Sequence, residues 1–287
     1  MTEIASRFVE VDGINTHYLE AGPADAPTVA LLHSGEFGGC AEVSWEFTVP
    51  ALAEQYHVVA PDWLGFGRTD KIFDFANGRA RVYRHMQRFF EIMGIEAADF
   101  IGNSMGGSNL ARIIADPPPI LPVRSAVLCS GGGFTPLTEE RKTLLAYDGT
   151  EEAMRALLHA MLFDPKWGDD AAYVAKRQEF ALMPGAWECA NAGRLKRPVP
   201  DGEKKESGGR DFGIPDNTVY ENVAVPVLIV AGANDPLREP GYSQKLAERI
   251  PDNAHRVYED CGHCPNIEHA DRFNEDVLAF LAKVHGG

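Results

Sequence analysis

A serine between glycines sits where it could act as a nucleophile. Gly102-Asn103-Ser104-Met105-Gly106 follows the apolar run Ala98 to Ile101 and precedes a helical pattern from Gly107 to Ala115. In a sharp strand-to-helix turn a serine takes a strained backbone and exposes its hydroxyl, and the amides of the following helix favour negative charge. A serine hydroxyl needs a base, and a histidine base needs an acid to orient it. His263, in Cys261-Gly-His-Cys264, follows one apolar run; Asp235, in Val230-Ala-Gly-Ala-Asn-Asp-Pro236, follows another. In that reading His263 takes the Ser104 proton while Asp235 holds its tautomer, which is the chemistry of acyl transfer.

Such chemistry also needs donors for the oxyanion that forms. His33-Ser34-Gly35-Glu36-Phe37-Gly38-Gly39 directly follows the apolar run Thr28 to Leu32, and one amide of this loop together with that of Met105 could supply them. Gly35 is the expected loop donor. Cys261 and Cys264 invite a metal reading, but no second Cys/His pair lies nearby to complete a tetrahedral site, so neither metal nor cofactor is expected.

These residues must be positioned by a scaffold. Val9, Val11, Ile14 and Tyr18 around Asp12-Gly13 predict a hairpin. Thr28 to Leu32, His57 to Ala60, Ala98 to Ile101, Ser125 to Cys129, Pro226 to Val230 and His255 to Tyr258 are short apolar runs of the kind buried parallel strands show. Helical patterns separate several of them, at Val82 to Met93, Gly107 to Ala115 and Tyr242 to Arg249, so an α/β sheet covered on both faces is expected. Between Gly131 and Pro226 helical pieces (Glu139 to Tyr147, Glu151 to Leu162, Asp170 to Leu182) replace strands for roughly ninety residues, too long for a loop. Residues 1–131 and 226–287 therefore read as a core domain and 132–225 as a helical cap, in which Arg197 to Asn217, rich in Pro, Gly and charge, is expected to be mobile. The order Ser, Asp, His matches the order this kind of sheet demands.

The 287 residues carry 42 acidic against 27 basic side chains, a formal charge of −15, which argues against nucleic acid or an anionic membrane as partner. Five scattered cysteines do not make a disulfide framework, no charged-then-apolar segment opens the chain, and no apolar run could span a bilayer. A cytoplasmic enzyme acting on a small molecule, and by base rate a homodimer, is the expectation.

With these pieces placed, the chain resembles the meta-cleavage-product hydrolases, α/β-hydrolases that cleave a carbon–carbon bond in vinylogous β-ketoacids from aromatic-ring degradation. The elbow Gly-Asn-Ser-Met-Gly-Gly carries the resemblance most specifically. Pro61-Asp62-Trp-Leu-Gly-Phe-Gly-Arg-Thr-Asp70, and Cys-Gly-His followed by Glu268-His269 and Phe273-Asn274, are shared more widely. The resemblance implies an eight-stranded, mostly parallel sheet with a helical cap. It also implies that Asn103, with Ser34 in the oxyanion loop, helps hold the polar dienoate end of the substrate, and that a cap arginine, here Arg177 ahead of Pro184-Gly185, binds its carboxylate through a planar two-pronged contact.

Two departures bear on the substrate. Family members usually carry an aromatic residue after the catalytic histidine, where this chain has Cys264-Pro265, and a Gly-Pro-Gly step where it has Glu36-Phe37-Gly38, with Cys40 to Val43 lengthening the loop. Phe134, Met161, Phe163, Phe180, Met183 and Trp187 are candidate pocket residues. Carboxylesterase or lactonase activity, thioester hydrolysis, perhydrolysis and cofactor-free oxygenation are alternative chemistries on the same fold. A binding protein on a retired hydrolase scaffold is the alternative from another class.

Overall fold

Each of the six apolar runs forms a strand close to its expected limits. The computed structural model describes residues 3–193 and 212–286. Strands β1 (Ile4–Val11) and β2 (Ile14–Ala21) form an antiparallel hairpin about Asp12 and Gly13, whose φ angles of 51° and 81° suit the tight turn whose twist matches that of paired strands. The remaining strands are β3 (Thr28–Leu32), β4 (His57–Pro61), β5 (Ala98–Asn103), β6 (Val123–Cys129), β7 (Val227–Gly232) and β8 (Asn253–Tyr258). They assemble in the order β1-β2-β4-β3-β5-β6-β7-β8, with β2 antiparallel to β4 and every pair from β4 through β8 parallel.

Along a strand successive side chains point to opposite faces, and here both faces are covered. Leu32, Phe100 and Ile229 pack with Phe90 and Leu110 on one side; their neighbours Leu31, Ile101 and Val230 pack with Trp45 and Phe273 on the other. Burial on both sides makes these strands read as continuous apolar runs rather than alternating ones. The covering helices are α1 (Ala41–Ser44), α2 (Thr48–Leu52), α3 (Gly78–Ile92) and α4 (Met105–Ile114) in the first half of the chain.

Among the described residues between β6 and β7 lie five α-helices, a short 3-10 turn at Tyr220–Asn222 and no strand; the α-helices are α5 (Glu139–Leu145), α6 (Glu151–His159), α7 (Lys166–Asp169), α8 (Ala171–Ala181) and α9 (Ala186–Ala192). Thr138, Thr150 and Asp170 cap α5, α6 and α8 by accepting first-turn amides. The helices share a core of Met154, Leu157, Leu158 and Val174, and this core closes over Phe37 and Leu237 from the loops after β3 and β7 and over Ile267 from the short helix Pro265–Glu268 that follows β8. The helical insertion is thereby fastened to the segments after β3, β7 and β8. Three helices expected in this stretch form within a few residues of their predicted limits; the one-turn α7 and α9, which starts after a left-handed Gly185, are additional to them. The segment expected to be mobile lies, up to Asp211, outside the described residues. After β7 come α10 (Tyr242–Ala247), α11 (Pro265–Glu268) and α12 (Ala270–Gly286). No helix among the described residues is long and apolar enough to cross a membrane.

Candidate active site

Ser104 stands at the point where β5 ends and α4 begins, with φ 52° and ψ −108°, a left-handed conformation that a side chain rarely adopts. The conformation is held from both sides: the Ser104 amide donates to the carbonyl of Cys129 at 2.8 Å, and its own carbonyl accepts from Ser108 at 2.8 Å. A turn this tight brings helix against strand. A Cβ on Gly106 would sit 2.0 Å from the Leu32 carbonyl oxygen, so only glycine fits there.

His263 and Asp235 arrive from the loops after β8 and β7. His263 Nε2 lies 2.7 Å from Ser104 Oγ, and Nδ1 lies 2.7 Å from Asp235 Oδ2. Since Asp235 accepts at Nδ1, the geometry selects the tautomer that leaves Nε2 free to take the serine proton. Burial pushes the Asp235 carboxyl up, but the His263 imidazole, its hydrogen bond and the charge of Arg238 outweigh burial and hold it below the ordinary aspartate value. Asp235 is thus an anion at neutral pH, fixed further by the Leu237 amide on Oδ1 at 2.9 Å.

Two residues that sequence reasoning did not single out for the site build its supports. Glu268 Oε1 accepts from the amides of Gly262 and Cys264, at 3.0 and 3.2 Å, on either side of His263, while Oε2 accepts from Phe163 of the helical insertion at 2.7 Å. The His263 amide itself donates to Met161 at 2.9 Å. Arg238, three residues after Asp235, donates to the carbonyls of Gly132 and Ser130 at 2.9 and 2.6 Å. Their only signal in the sequence was a charged residue close to a triad member, which is too common to be diagnostic.

Behind the loop after β3, buried His33 donates from Nδ1 to the Ser34 carbonyl at 2.6 Å and accepts the Trp63 amide on Nε2 at 2.9 Å. Burial lowers its pKa, as a ring that must stay neutral to accept requires. Gly35 follows, and a Cβ there would lie 2.5 Å from Sδ of Met105, so the two residues expected to supply the oxyanion amides touch. Gly35, Met105, Ser104 and His263 line one cavity of 310 Å³, walled by Trp63, Phe66 and Leu144.

A model of the α/β hydrolase fold family matches residues 28–270. The chain is 31% identical over 279 residues, 96% of its length and 91% of the relative's, to the 2-hydroxy-6-oxo-6-(2'-aminophenyl)hexa-2,4-dienoic acid hydrolase of Metapseudomonas resinovorans. It is 30% identical to the 2-hydroxymuconate semialdehyde hydrolase of Pseudomonas sp. strain CF600, covering 97% of this chain and 94% of that one. This chain belongs to the meta-cleavage-product hydrolases of the α/β-hydrolase family. Its structure agrees with those of a serine hydrolase of carbazole degradation (TM-score 0.80, 29% identity, 98% of this chain and 99% of that) and a meta-cleavage product hydrolase from Pseudomonas fluorescens IP01 (0.82, 26%, 98% of each).

In this meta-cleavage-product hydrolase the three residues expected to hold the substrate lie otherwise than expected. Arg177, on α8, is fully buried and is not among the residues lining the cavity. Its Nη1 donates to Glu36 Oε1 at 2.5 Å and its Nη2 to the Tyr173 hydroxyl at 2.9 Å, so the guanidinium faces a carboxylate of its own chain. Ser34 Oγ donates to the same Glu36 oxygen at 2.9 Å and lies 3.0 Å from Ser44 Oγ. Asn103, the last residue of β5, is buried outside the cavity lining; its amide nitrogen is 3.5 Å from the Cys129 carbonyl, and its Oδ1 has no partner among the described residues. The physical reason is the loop: Glu36 turns inward to Arg177, Phe37 stacks on Tyr147 at 4.8 Å, and a Cβ at Gly38 would meet the Arg177 carbonyl oxygen at 2.4 Å.

Of the six candidate pocket residues, Met161 lines the cavity. Phe180 packs with Cys40 and Val43 and beneath Arg68, while Phe163 and Trp187 are exposed. Cys261 and Cys264 are buried, and burial raises the pKa of both, which keeps them as thiols. Among the described residues no cluster of three or more His, Cys, Asp or Glu is placed to hold a metal ion.

Proposed function

We propose that this hydrolase uses Ser104, His263 and Asp235 to cleave the carbon–carbon bond beside the 6-oxo group of a 2-hydroxy-6-oxohexa-2,4-diene skeleton, the skeleton named in its relatives. The observation that carries the reading is the run of two 2.7 Å contacts from Ser104 Oγ through the His263 ring to Asp235, at the wall of the cavity. In the keto form of the substrate, His263 Nε2 takes the Ser104 proton as Oγ adds to the ketone carbon. The oxyanion is held by the amides of Gly35 and Met105, the latter at the positive end of α4. Collapse breaks the carbon–carbon bond; its electron pair enters the conjugated carbonyl system as an enolate, which takes the proton back from His263. His263 then deprotonates a water that attacks the acyl group on Ser104, releasing a carboxylic acid and restoring the serine.

The test is absorbance-monitored turnover of purified enzyme on 2-hydroxy-6-oxo-6-phenylhexa-2,4-dienoate and its methyl ester, with product identification. Release of benzoate supports the reading. If neither compound yields benzoate while a fluorophosphonate labels Ser104, the carbon–carbon reading fails and a simple ester hydrolase remains.

A further inference from the structure

One carboxylate at the cavity is unaccounted for by that mechanism. Glu36 follows directly on Gly35, lines the same cavity as Ser104, and has its side chain only 4% exposed. An acid so buried is retained only when its charge is matched and its oxygens are bonded. Arg177 and Ser34 do both through Oε1, at 2.5 and 2.9 Å, and the pull of Arg177 and of the Ser34 hydroxyl outweighs the effect of burial, leaving Glu36 ionised. The reverse also holds: Arg177 is at zero exposure, and Glu36 is its one carboxylate partner within ion-pair distance among the described residues. The pair is electrically complete from within the chain, and Glu36 is the member of it that lines the cavity.

We infer that Glu36 is a specificity-determining residue that stands in for an acidic group of the substrate, so that the part of the substrate lying against the loop after β3 is uncharged, as in a vinylogous 1,5-diketone, a 1,3-diketone or the ester of a dienoic acid. A second carboxylate brought to this corner finds no open guanidinium, because Arg177 is already answered by Glu36. A neutral carbonyl needs none and still accepts the electron pair released when the carbon–carbon bond breaks. The inference rests on the carbon–carbon reading for its reaction but not for its selectivity.

The experiment compares 2-hydroxy-6-oxo-6-phenylhexa-2,4-dienoate with its methyl ester on wild type, Glu36→Ala and Glu36→Gln, measuring kcat and KM and analysing benzoate and methanol separately. Wild type is expected to favour the ester by at least about tenfold in kcat/KM. Both variants are expected to shrink or invert that ratio, chiefly through a lower KM for the acid as Arg177 becomes available. Acetate supplies a second readout independent of turnover: at millimolar concentration it raises the Tm of Glu36→Ala by filling the vacated place beside Arg177, and leaves wild type unchanged. Preference for the acid in wild type, a ratio unmoved by both variants, or equal stabilisation of wild type and Glu36→Ala by acetate overturns the inference. Release of methanol in place of benzoate sinks the carbon–carbon reading, and because the free acid then has no ester to lose, the acetate measurement alone decides Glu36. If neither compound turns over, the acetate measurement decides it.

Discussion

Arg238 Nη2 lies 2.6 Å from the carbonyl oxygen of Ser130, joining the turn after β7 to the end of β6. Arg238 is 6% exposed and spends its donors on carbonyl and hydroxyl oxygens, including Gly132 and the Ser108 hydroxyl on α4. A cation used this way is a staple: it holds the acid turn that begins at Asp235 against the strand and helix that carry Ser104. Arg238→Met removes the bonds and leaves several buried oxygens unpaired, a loss of about 2–4 kcal/mol in urea unfolding. At permissive temperature kcat is expected to fall by roughly ten- to a hundredfold as the His263 tautomer loosens, and KM to change as well because Arg238 itself lines the cavity. Unchanged kcat in a destabilised variant would reduce Arg238 to a purely structural residue.

Ser104 predicts a separation of stability from activity. Its φ of 52° is unfavourable for any residue with a Cβ, and both Ser104→Ala and Ser104→Gly lose the nucleophile. Activity should fall by about ten-thousand-fold or more in each. Glycine, however, relieves the left-handed backbone, so Ser104→Gly is expected to be more stable than Ser104→Ala by about 1 kcal/mol in paired denaturation curves. Equal stabilities would mean that the elbow is not strained.

Much of this arrangement was legible in the chain because local chemistry encodes it. The glycines about Ser104 are demanded by a helix packed on a strand, and the doubly buried strands could only be apolar, so the sheet, the elbow and the order Ser104, Asp235, His263 could all be read without coordinates. Arg177 was legible as an arginine on a cap helix but not in its partner. Its place depends on a carboxylate 141 residues away turning inward from a loop, and such a pairing leaves no periodicity. Glu268 and Arg238 were hidden for the same reason: they act by bonding backbone groups of distant loops. The short α9 escaped because its start depends on the left-handed Gly185 rather than on an apolar stripe.

His85 on α3 makes the stability of the fold pH-dependent. The ring is 4% exposed; Nε2 lies 2.9 Å from Thr16 Oγ1, whose own proton goes to the Ile14 carbonyl, so Nε2 donates and Nδ1 is left bare, with no partner among the described residues. Burial, with a smaller push from Arg81, lowers its pKa to about 4 from 6.5. A histidine depressed in the folded state is protonated first in the unfolded chain, so stability falls as pH drops from above 6.5 towards 4. Between pH 7.5 and pH 5 the loss from this one group is about 2 kcal/mol. Urea midpoints at the two pH values should therefore converge in His85→Gln, and a slope identical to wild type would assign the pH effect to other groups.

Glu268 tests whether the His263 loop must be held from both flanks. One carboxylate oxygen receives the amides of Gly262 and Cys264, and the other ties that loop to Phe163. Glu268→Gln replaces one oxygen with an NH2 group, so the single oxygen that remains can accept from either the loop amides or Phe163 but not both. Because the displaced amides flank the base and not the cavity wall, kcat should fall by about tenfold while KM moves less than about twofold. Glu268→Ala, which strands all three amides, should fall further and destabilise the protein by about 2–3 kcal/mol. The decisive comparison is fluorophosphonate labelling of Ser104, since its rate depends on activation of the serine by His263 and not on substrate fit. If labelling of Glu268→Gln keeps the wild-type rate while kcat drops, Glu268 acts through the helical insertion at Phe163 and not through the base.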